Sequence, residues 1–290
     1  MTSILKTPRV FDCFPFNREL DLAELRIQEL WDVVDFFVIA EATSTHQNKP
    51  KELNIRNNWD RFEKYKSKIR YIVVEDMPND VNDTWVNERF QRHALTRGLH
   101  DLDPSDIVIT SDCDEIARAD VIQSIKDDPE NFERYQLFVP MCYFKFNYIM
   151  TVPYMTHGMI MVTKGRAYQN PNFERGAASP WGPKVPSLKQ IRHGGWHFSY
   201  LGDTKAAIAK IQSFAHQETN VPSIVNTLDV EYMVANRVGL LGNSEGSERF
   251  EHVKMDEYFP KTVLNDLEKY KDYIIFDAEK TMYNVYPRHL

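Results

Sequence analysis

Cysteine is scarce: Cys13, Cys113 and Cys142 are the only three in 290 residues, and no two form a C-x-x-C pair. An odd count without that spacing excludes a disulfide framework and a zinc knuckle, and three reduced thiols in a cytoplasmic protein are expected. No long apolar run is present: no window reaches the length of a membrane span, and the opening MTSILKTPRVFDCF lacks the apolar stretch of a signal peptide. A soluble, cytoplasmic chain with no membrane anchor is therefore expected. Positive charge is in deficit as well, 35 Lys and Arg against 42 Asp and Glu, a net −7. That balance removes a global basic field, so nucleic acid is not an expected partner. An acidic chain that handles a diphosphate needs a local positive charge, and a divalent metal is the obvious source. Repeats and low-complexity tracts are absent too. What is there is ordinary globular composition, 42% hydrophobic and 27% charged, in a chain long enough to bury a sizeable core. Aromatics at 12% are somewhat rich, which suits a site that stacks flat rings.

The first 115 residues alternate strand and helix signals. Arg9–Phe14 is a strand candidate, and Asp21–Val34 reads as a helix with Ala23, Ile27, Leu30 and Val34 on one face. Phe36–Ala40, Tyr71–Val74 and Ile107–Ile109 are apolar runs without alternation, as in parallel strands covered on both faces. Val86–Leu99 is the helix between the last two. The pattern predicts an α/β chain with a doubly wound, mostly parallel sheet, whose ligands sit beyond the carboxyl ends of strands. Those ends are read as Asp12-Cys13-Phe14, Glu41 and Asp112–Glu115. Further on, Phe132–Tyr148 and His157–Thr163 read as longer mixed strands, Gly165–Gln190 as a long Pro-rich loop, and Gly194–Tyr200 as a strand. Lys205–Gln217 and Asp229–Val238 read as helices, and Leu241–Glu251 as a polar linker.

Thr110-Ser111-Asp112-Cys113-Asp114-Glu115 directly follows the run Asp106–Ile109. Two aspartates one residue apart at a strand end can both reach one hard cation, and Mg²⁺ or Mn²⁺ on a nucleotide is usually held by one or two carboxylates plus phosphate oxygens. The bland reading is an acidic turn capping the next helix. Phosphatases of the haloacid dehalogenase type also carry D-x-D, but on their first strand rather than the fourth. In His193-Gly194-Gly195-Trp196-His197-Phe198-Ser199, His197 is either a metal ligand or a hydrogen-bonded core histidine, and the residues alone favour the core. Arg92 or His93 could meet donor phosphates. Pairing of Glu88 with Arg92 one helical turn apart is the plainer reading. Glu41 could accept from a base N–H or a ribose hydroxyl, or be a surface carboxylate.

Asp12-Cys13-Phe14-Pro15-Phe16, Glu24-Leu25-Arg26, Asp32–Glu41, Lys49-Pro50-Lys51, Trp85 with Gln91-Arg92, Ser111–Ile116 and Gly195–Ser199 together resemble glycosyltransferase family 17. The resemblance runs in order from about Val10 to about Tyr232. Where the family pattern commonly has proline after D-E-I, Ala117 stands here. The resemblance implies a GT-A fold, a UDP-sugar donor (UDP-GlcNAc in known members), Mn²⁺ or Mg²⁺, and inversion at the anomeric carbon. It raises Asp114 and His197 as metal ligands and Glu41 and Arg92 as donor contacts; the strand-end positions add Asp112 to both sets, and Asp12 and Phe14 to the donor contacts. A single domain over residues 1–290 follows: a donor-nucleotide half at about 8–116, a metal and acceptor half at about 117–240, and a C-terminal extension at 241–290.

The expected partners are thus a UDP-sugar and a glycan or other hydroxyl acceptor. Two alternatives stand beside this: a catalytically inactive nucleotide-sugar-binding module on the same fold, and a transferase acting on hydroxymethylated phage DNA, which the net charge of −7 supports little. An inverting enzyme needs a base on the face opposite UDP. Asp229 and Glu218 are the candidates, although a helix start explains Asp229 as a cap. Glu174 and Glu231 stand behind them.

Overall fold

The computed structural model describes residues 7–78, 80–152, 157–179, 182–186, 188–240 and 248–285. The chain divides into two compact units, Met1–Phe138 with Gly158–Gly194, and Val139–His157 with Gly195–Leu290.

The first unit opens with β1 (Val10–Phe16), helix α1 (Leu20–Leu30) and β2 (Phe36–Ala42). Two short helical turns, α2 (Asn54–Asn57) and α3 (Trp59–Phe62), lead to β3 (Ile69–Val74). Helix α4 (Thr84–His93) starts at Asp83, whose side chain accepts from the Trp85 amide, and tightens into a 3₁₀ turn at Ala94–Gly98. The single long helix expected over Val86–Leu99 is therefore two pieces. There follow β4 (Ile107–Thr110), β5 (Glu115–Ala117), α5 (Ala119–Asp127) and β6 (Arg134–Val139).

Strand β1 pairs in parallel with both β2 and β4, and β2 in parallel with β3, which gives the expected mostly parallel, doubly wound α/β arrangement. The apolar runs explain it. Val38, Ile39 and Ala40 are wholly buried, as are Ile107, Val108 and Ile109, because strands inside such a sheet meet cover on both faces. Phe11, Cys13, Val38 and Val108 pack with Ala94, Leu95 and Leu99 on one face. A side chain on Gly98 would run into Val38, so the glycine lets the 3₁₀ turn lie against the sheet. β3 behaves differently: it lies at the end of the sheet and is mostly half-buried.

Beyond β4 the sheet continues through β9 (His157–Lys164), which runs antiparallel to β4, then β6, then β10 (Leu188–Arg192), parallel to β6. The segment expected to be a long loop, Gly165–Gln190, carries helix α6 (Pro171–Ala177), capped by Asn170 with proline at its first position. Pro180 of that segment lies outside the described residues.

In the second unit β7 (Met141–Tyr143), β8 (Tyr148–Val152), β11 (Gly195–Ser199) and β12 (Arg249–His252) run in the order β12-β8-β7-β11. The single strand expected over Phe132–Tyr148 is thus broken into β6 and β7 ahead of β8. Its helices include α7 (Thr204–Ile211), α8 (Pro222–Val225) and α9 (Val230–Asn236). Of the expected linker Leu241–Glu251, residues 241–247 lie outside the described residues, and Arg249–Glu251 form strand.

Aromatic richness goes largely into the core of this unit. Tyr143, Phe144, Tyr148, Tyr200 and Phe250 are buried against one another, with Tyr148 stacked on Phe250 at 4.5 Å. Phe144 and Tyr200, each just beyond a strand, take positive φ of 60° and 54°, a conformation uncommon for bulky residues.

Candidate active site

At the carboxyl end of β4 the chain turns tightly through Ser111-Asp112-Cys113-Asp114 into β5. The Glu115 amide donates to the Asp112 carbonyl at 3.0 Å, and the Asp112 amide donates to Glu115 Oε2 at 2.8 Å. Ser111 Oγ donates to the Glu115 carbonyl at 2.9 Å. The turn is held from behind by Arg26 of α1, which has no exposed surface. Its Nη1 donates to the carbonyls of Asp112 at 2.7 Å and Glu115 at 3.0 Å, and its Nη2 to Ser111 Oγ at 2.8 Å. Asp12, equally buried in β1, accepts from Arg26 Nε at 2.7 Å and Nη2 at 2.6 Å, the bidentate geometry that guanidinium and carboxylate share. The Phe14 ring lies 4.3 Å from the same guanidinium carbon.

Two more arginines meet the first aspartate of the turn. Arg92 Nη2, from α4, lies 3.2 Å from Asp112 Oδ1 and 2.5 Å from Glu88 Oε1. Arg175 Nη2, from α6, lies 2.8 Å from Asp112 Oδ2 and 2.8 Å from Glu115 Oε1. Burial pushes the Asp112 carboxyl up, but Arg175 and Arg92 outweigh it and hold the group well below the usual carboxylate range, while Asp114 acts in the raising direction. Burial likewise works against the charge on both arginines, and the carboxylates beside them more than restore it. Glu88, Asp112 and Glu115 therefore face Arg92 and Arg175, and Asp114 lies near enough to Asp112 to act on its charge.

Two aspartates one residue apart on such a turn could hold one divalent cation. Among the described residues no group of three or more His, Cys, Asp and Glu is arranged to hold a metal on its own. A cation held by one or two carboxylates together with phosphate oxygens does not require such a group. Asp114, 5% exposed and directly before β5, is the carboxylate that would hold it.

The sequence-predicted residues separate into those at the turn and those behind it. Asp112, Asp114 and Arg92 come together there, and the Glu88–Arg92 pair one helical turn apart is present as well. Asp12 and Phe14 are not at a strand end: β1 runs on to Phe16, so both lie inside the sheet and act on Arg26. Glu41 is also scaffold. Its carboxylate accepts from Lys51 Nζ at 2.9 Å, the amides of Asn54 at 2.5 Å and Ile55 at 3.1 Å, and Tyr71 Oη at 2.7 Å. Those four donors fill the acceptor capacity of a carboxylate, leaving none for a ligand. Glu174 is wholly buried and accepts from Arg134 and Thr163, so it is no loop base.

In the second unit, His197 is buried on β11, where its amide donates to the Pro140 carbonyl at 3.1 Å. Asp229 caps α9 and accepts from the Tyr232 amide. Glu218 is exposed, with Oε1 2.5 Å from His216 Nδ1. Arg175 was missed. The Asn170 cap followed by Pro171, with Glu174 in the first turn, is a legible helix start, but the Pro-rich composition of the segment masked it.

Residues 2–169 match glycosyltransferase family 17. The chain belongs to that family. Over 125 residues it is 33% identical to the beta-1,4-mannosyl-glycoprotein 4-beta-N-acetylglucosaminyltransferase of Rattus norvegicus, covering 41% of this chain and 23% of that protein. The Homo sapiens protein of the same name is also 33% identical over 125 residues, 24% of its length. The match thus spans about a quarter of the length of these relatives. Among solved structures, mannosyltransferase PcManGT from Pyrobaculum calidifontis in complex with GDP-Man and Mn²⁺ is similar over 67% of this chain and 57% of that one, with a TM-score of 0.39 and 10% identity. No helix among the described residues is long and apolar enough to cross a membrane.

Proposed function

We propose that the chain is a metal-dependent, inverting glycosyltransferase that moves a sugar, N-acetylglucosamine, from UDP to a hydroxyl of a glycan acceptor. The observation that carries the reading is the Asp112–Asp114 turn: at a strand end of a family 17 chain, two buried or half-buried aspartates one residue apart stand beside Arg92 and Arg175. Mn²⁺ or Mg²⁺ bound at Asp114 would supply charge stabilisation for departing UDP. The chain's own part is to fix the turn through Arg26, present Arg92 toward the phosphates, and take the acceptor proton. For that last role Glu218 is proposed ahead of Asp229, because the Asp229 carboxylate already caps a helix while Glu218 is exposed and hydrogen-bonded to His216. His197 is kept as a metal-ligand candidate on the strength of the family resemblance alone.

UDP release from a panel of UDP-sugars, with Mn²⁺ and with EDTA, tests the proposal. Asp114→Ala is expected to lower the rate on the order of 10²-fold or more, the loss of a preorganised electrostatic group. Equal rates for wild type and variant, or indifference to EDTA, would overturn it. UDP binding without turnover on any acceptor would instead support an inactive binding module.

A further inference from the structure

Both oxygens of Asp112 face an arginine. Arg92 reaches Oδ1 from α4 at 3.2 Å and Arg175 reaches Oδ2 from α6 at 2.8 Å. Arg175 is itself fixed at two more points, Glu115 Oε1 at 2.8 Å and the Met159 carbonyl at 2.7 Å. Arg92 is 6% exposed, and its Nε is buried with no partner. A guanidinium N–H buried without an acceptor is costly, and the acceptor that matches it best is an anionic oxygen. Two guanidiniums brought onto one carboxylate would repel each other without it, and the carboxylate fixes the planes of both forks. An aspartate so engaged is poorly placed to give an oxygen to a cation, whereas a pair of oriented forks is the geometry that recognises phosphate.

We propose that Asp112 is a positioning residue for Arg92 and Arg175, and that this pair receives a phosphate of the nucleotide donor while the metal is left to Asp114. The assignment rests on the glycosyltransferase reading above and adds Arg175 to it. It gives the two aspartates of the turn different work, one orienting cations of the protein and the other holding a cation from solution. Because a phosphate is common to all nucleotide sugars, the pair sets affinity without choosing the base or the sugar.

Calorimetric titration of the full chain with UDP, and separately with pyrophosphate, tests this in EDTA and again in Mn²⁺. In EDTA the wild type is expected to bind both, more weakly as salt rises. Arg175→Met is expected to lower both affinities about tenfold or more, the loss of a charge-assisted hydrogen bond. Arg175→Lys keeps the charge but not the fork, and is expected to recover pyrophosphate binding only in part. Removing Arg175 takes a guanidinium away from buried Glu115, so Glu115→Gln with Arg175→Met keeps the test open if the single variant unfolds. Mn²⁺ affinity is expected to fall more for Asp114→Asn than for Asp112→Asn.

UDP and pyrophosphate binding equal to wild type in Arg175→Met or the double variant, in whichever condition the wild type binds, overturns the anion site. Equal or reversed losses of Mn²⁺ affinity overturn the division between the aspartates. A wild type that binds no nucleoside diphosphate with or without Mn²⁺ overturns the glycosyltransferase reading itself, and this assignment with it.

Discussion

Replacing Arg26 by methionine separates the turn from its support while keeping much of the side-chain volume. In the folded chain Arg26 and Asp12 are both wholly buried, joined by bonds of 2.6 and 2.7 Å. Taking away one partner leaves the Asp12 carboxylate buried and uncompensated, which costs about 3–5 kcal/mol. The carbonyls of Asp112 and Glu115 lose their guanidinium donor as well, a loss in the same direction. At about 2–4 °C per kcal/mol for a protein of this size, the melting temperature is expected to fall by about 6–20 °C. Urea unfolding followed by circular dichroism at pH 7 measures the free energy directly. The decisive comparison is Asp12→Asn with Arg26→Met, which removes the orphaned charge. That double variant is expected to be more stable than the two single losses added together by about 0.5–3 kcal/mol. Arg26→Met within about 1 kcal/mol of wild type, or two single losses that simply add, would refute the idea that a buried ion pair holds the turn. UDP binding, measured well below the variant's melting temperature, separates support of the site from stability alone: a properly folded Arg26→Met chain is still expected to bind UDP less tightly.

Two further outcomes are expected. Asp101 lies between Arg70 and Arg9, at 2.6 and 2.8 Å, and Arg70 first and then Arg9 hold its carboxyl well below the ordinary range. A depressed folded-state value means that its contribution is complete above about pH 4 and is lost as the pH falls from there. Asp101→Asn should therefore melt below wild type at pH 7, with the gap closing on acidification; a gap constant down to pH 2 would count against it. Glu174→Ala, which strands Arg134 in the core, is expected to destabilise by about 3–5 kcal/mol while leaving turnover per folded molecule near wild type. A large fall in turnover with unchanged urea midpoint would restore Glu174 as a base.

The sheet was legible because its evidence is local. The apolar runs at Phe36, Tyr71 and Ile107 each declare a strand by unbroken hydrophobicity, those at Phe36 and Ile107 with consecutive buried positions, and the D-C-D turn follows the last of them directly. Boundaries were less legible. Nothing in V-F-D-C-F-P-F says that β1 continues past Phe14, so Asp12 looked like a strand-end ligand residue when it is a counter-ion inside the sheet. Glu41 failed in a related way: it lies inside β2, one residue before its end, and the donors that fill it come from residues ten to thirty positions onward, which spacing does not reveal. The break between β6 and β7 is likewise set by tertiary structure, since Pro140 separates two stretches of equally strand-prone residues.

The charges of the site were the least legible part, and the reason is physical. A carboxylate pair can sit on one turn, but the cations that make its burial tolerable must come from other elements, because side chains one or two residues apart in a tight turn cannot approach one another from opposite sides. Here they come from Arg26, Arg92 and Arg175, some 86, 20 and 63 positions from Asp112. Of these, Arg92 was read because it lies on an amphipathic helix beside the turn, and Arg26 was visible only within a family resemblance. Arg175 had neither advantage. Its helix lies in a segment whose prolines announce a loop, although Asn170 and Pro171 cap and start that helix in the ordinary way. A net charge of −7 gave no hint of three guanidiniums gathered around one turn, since a chain-wide sum carries no position. The local pairing decides what the turn can bind: Glu88, Asp112 and Glu115 are matched by Arg92 and Arg175 of the protein itself, so a divalent cation from solution would fall to Asp114.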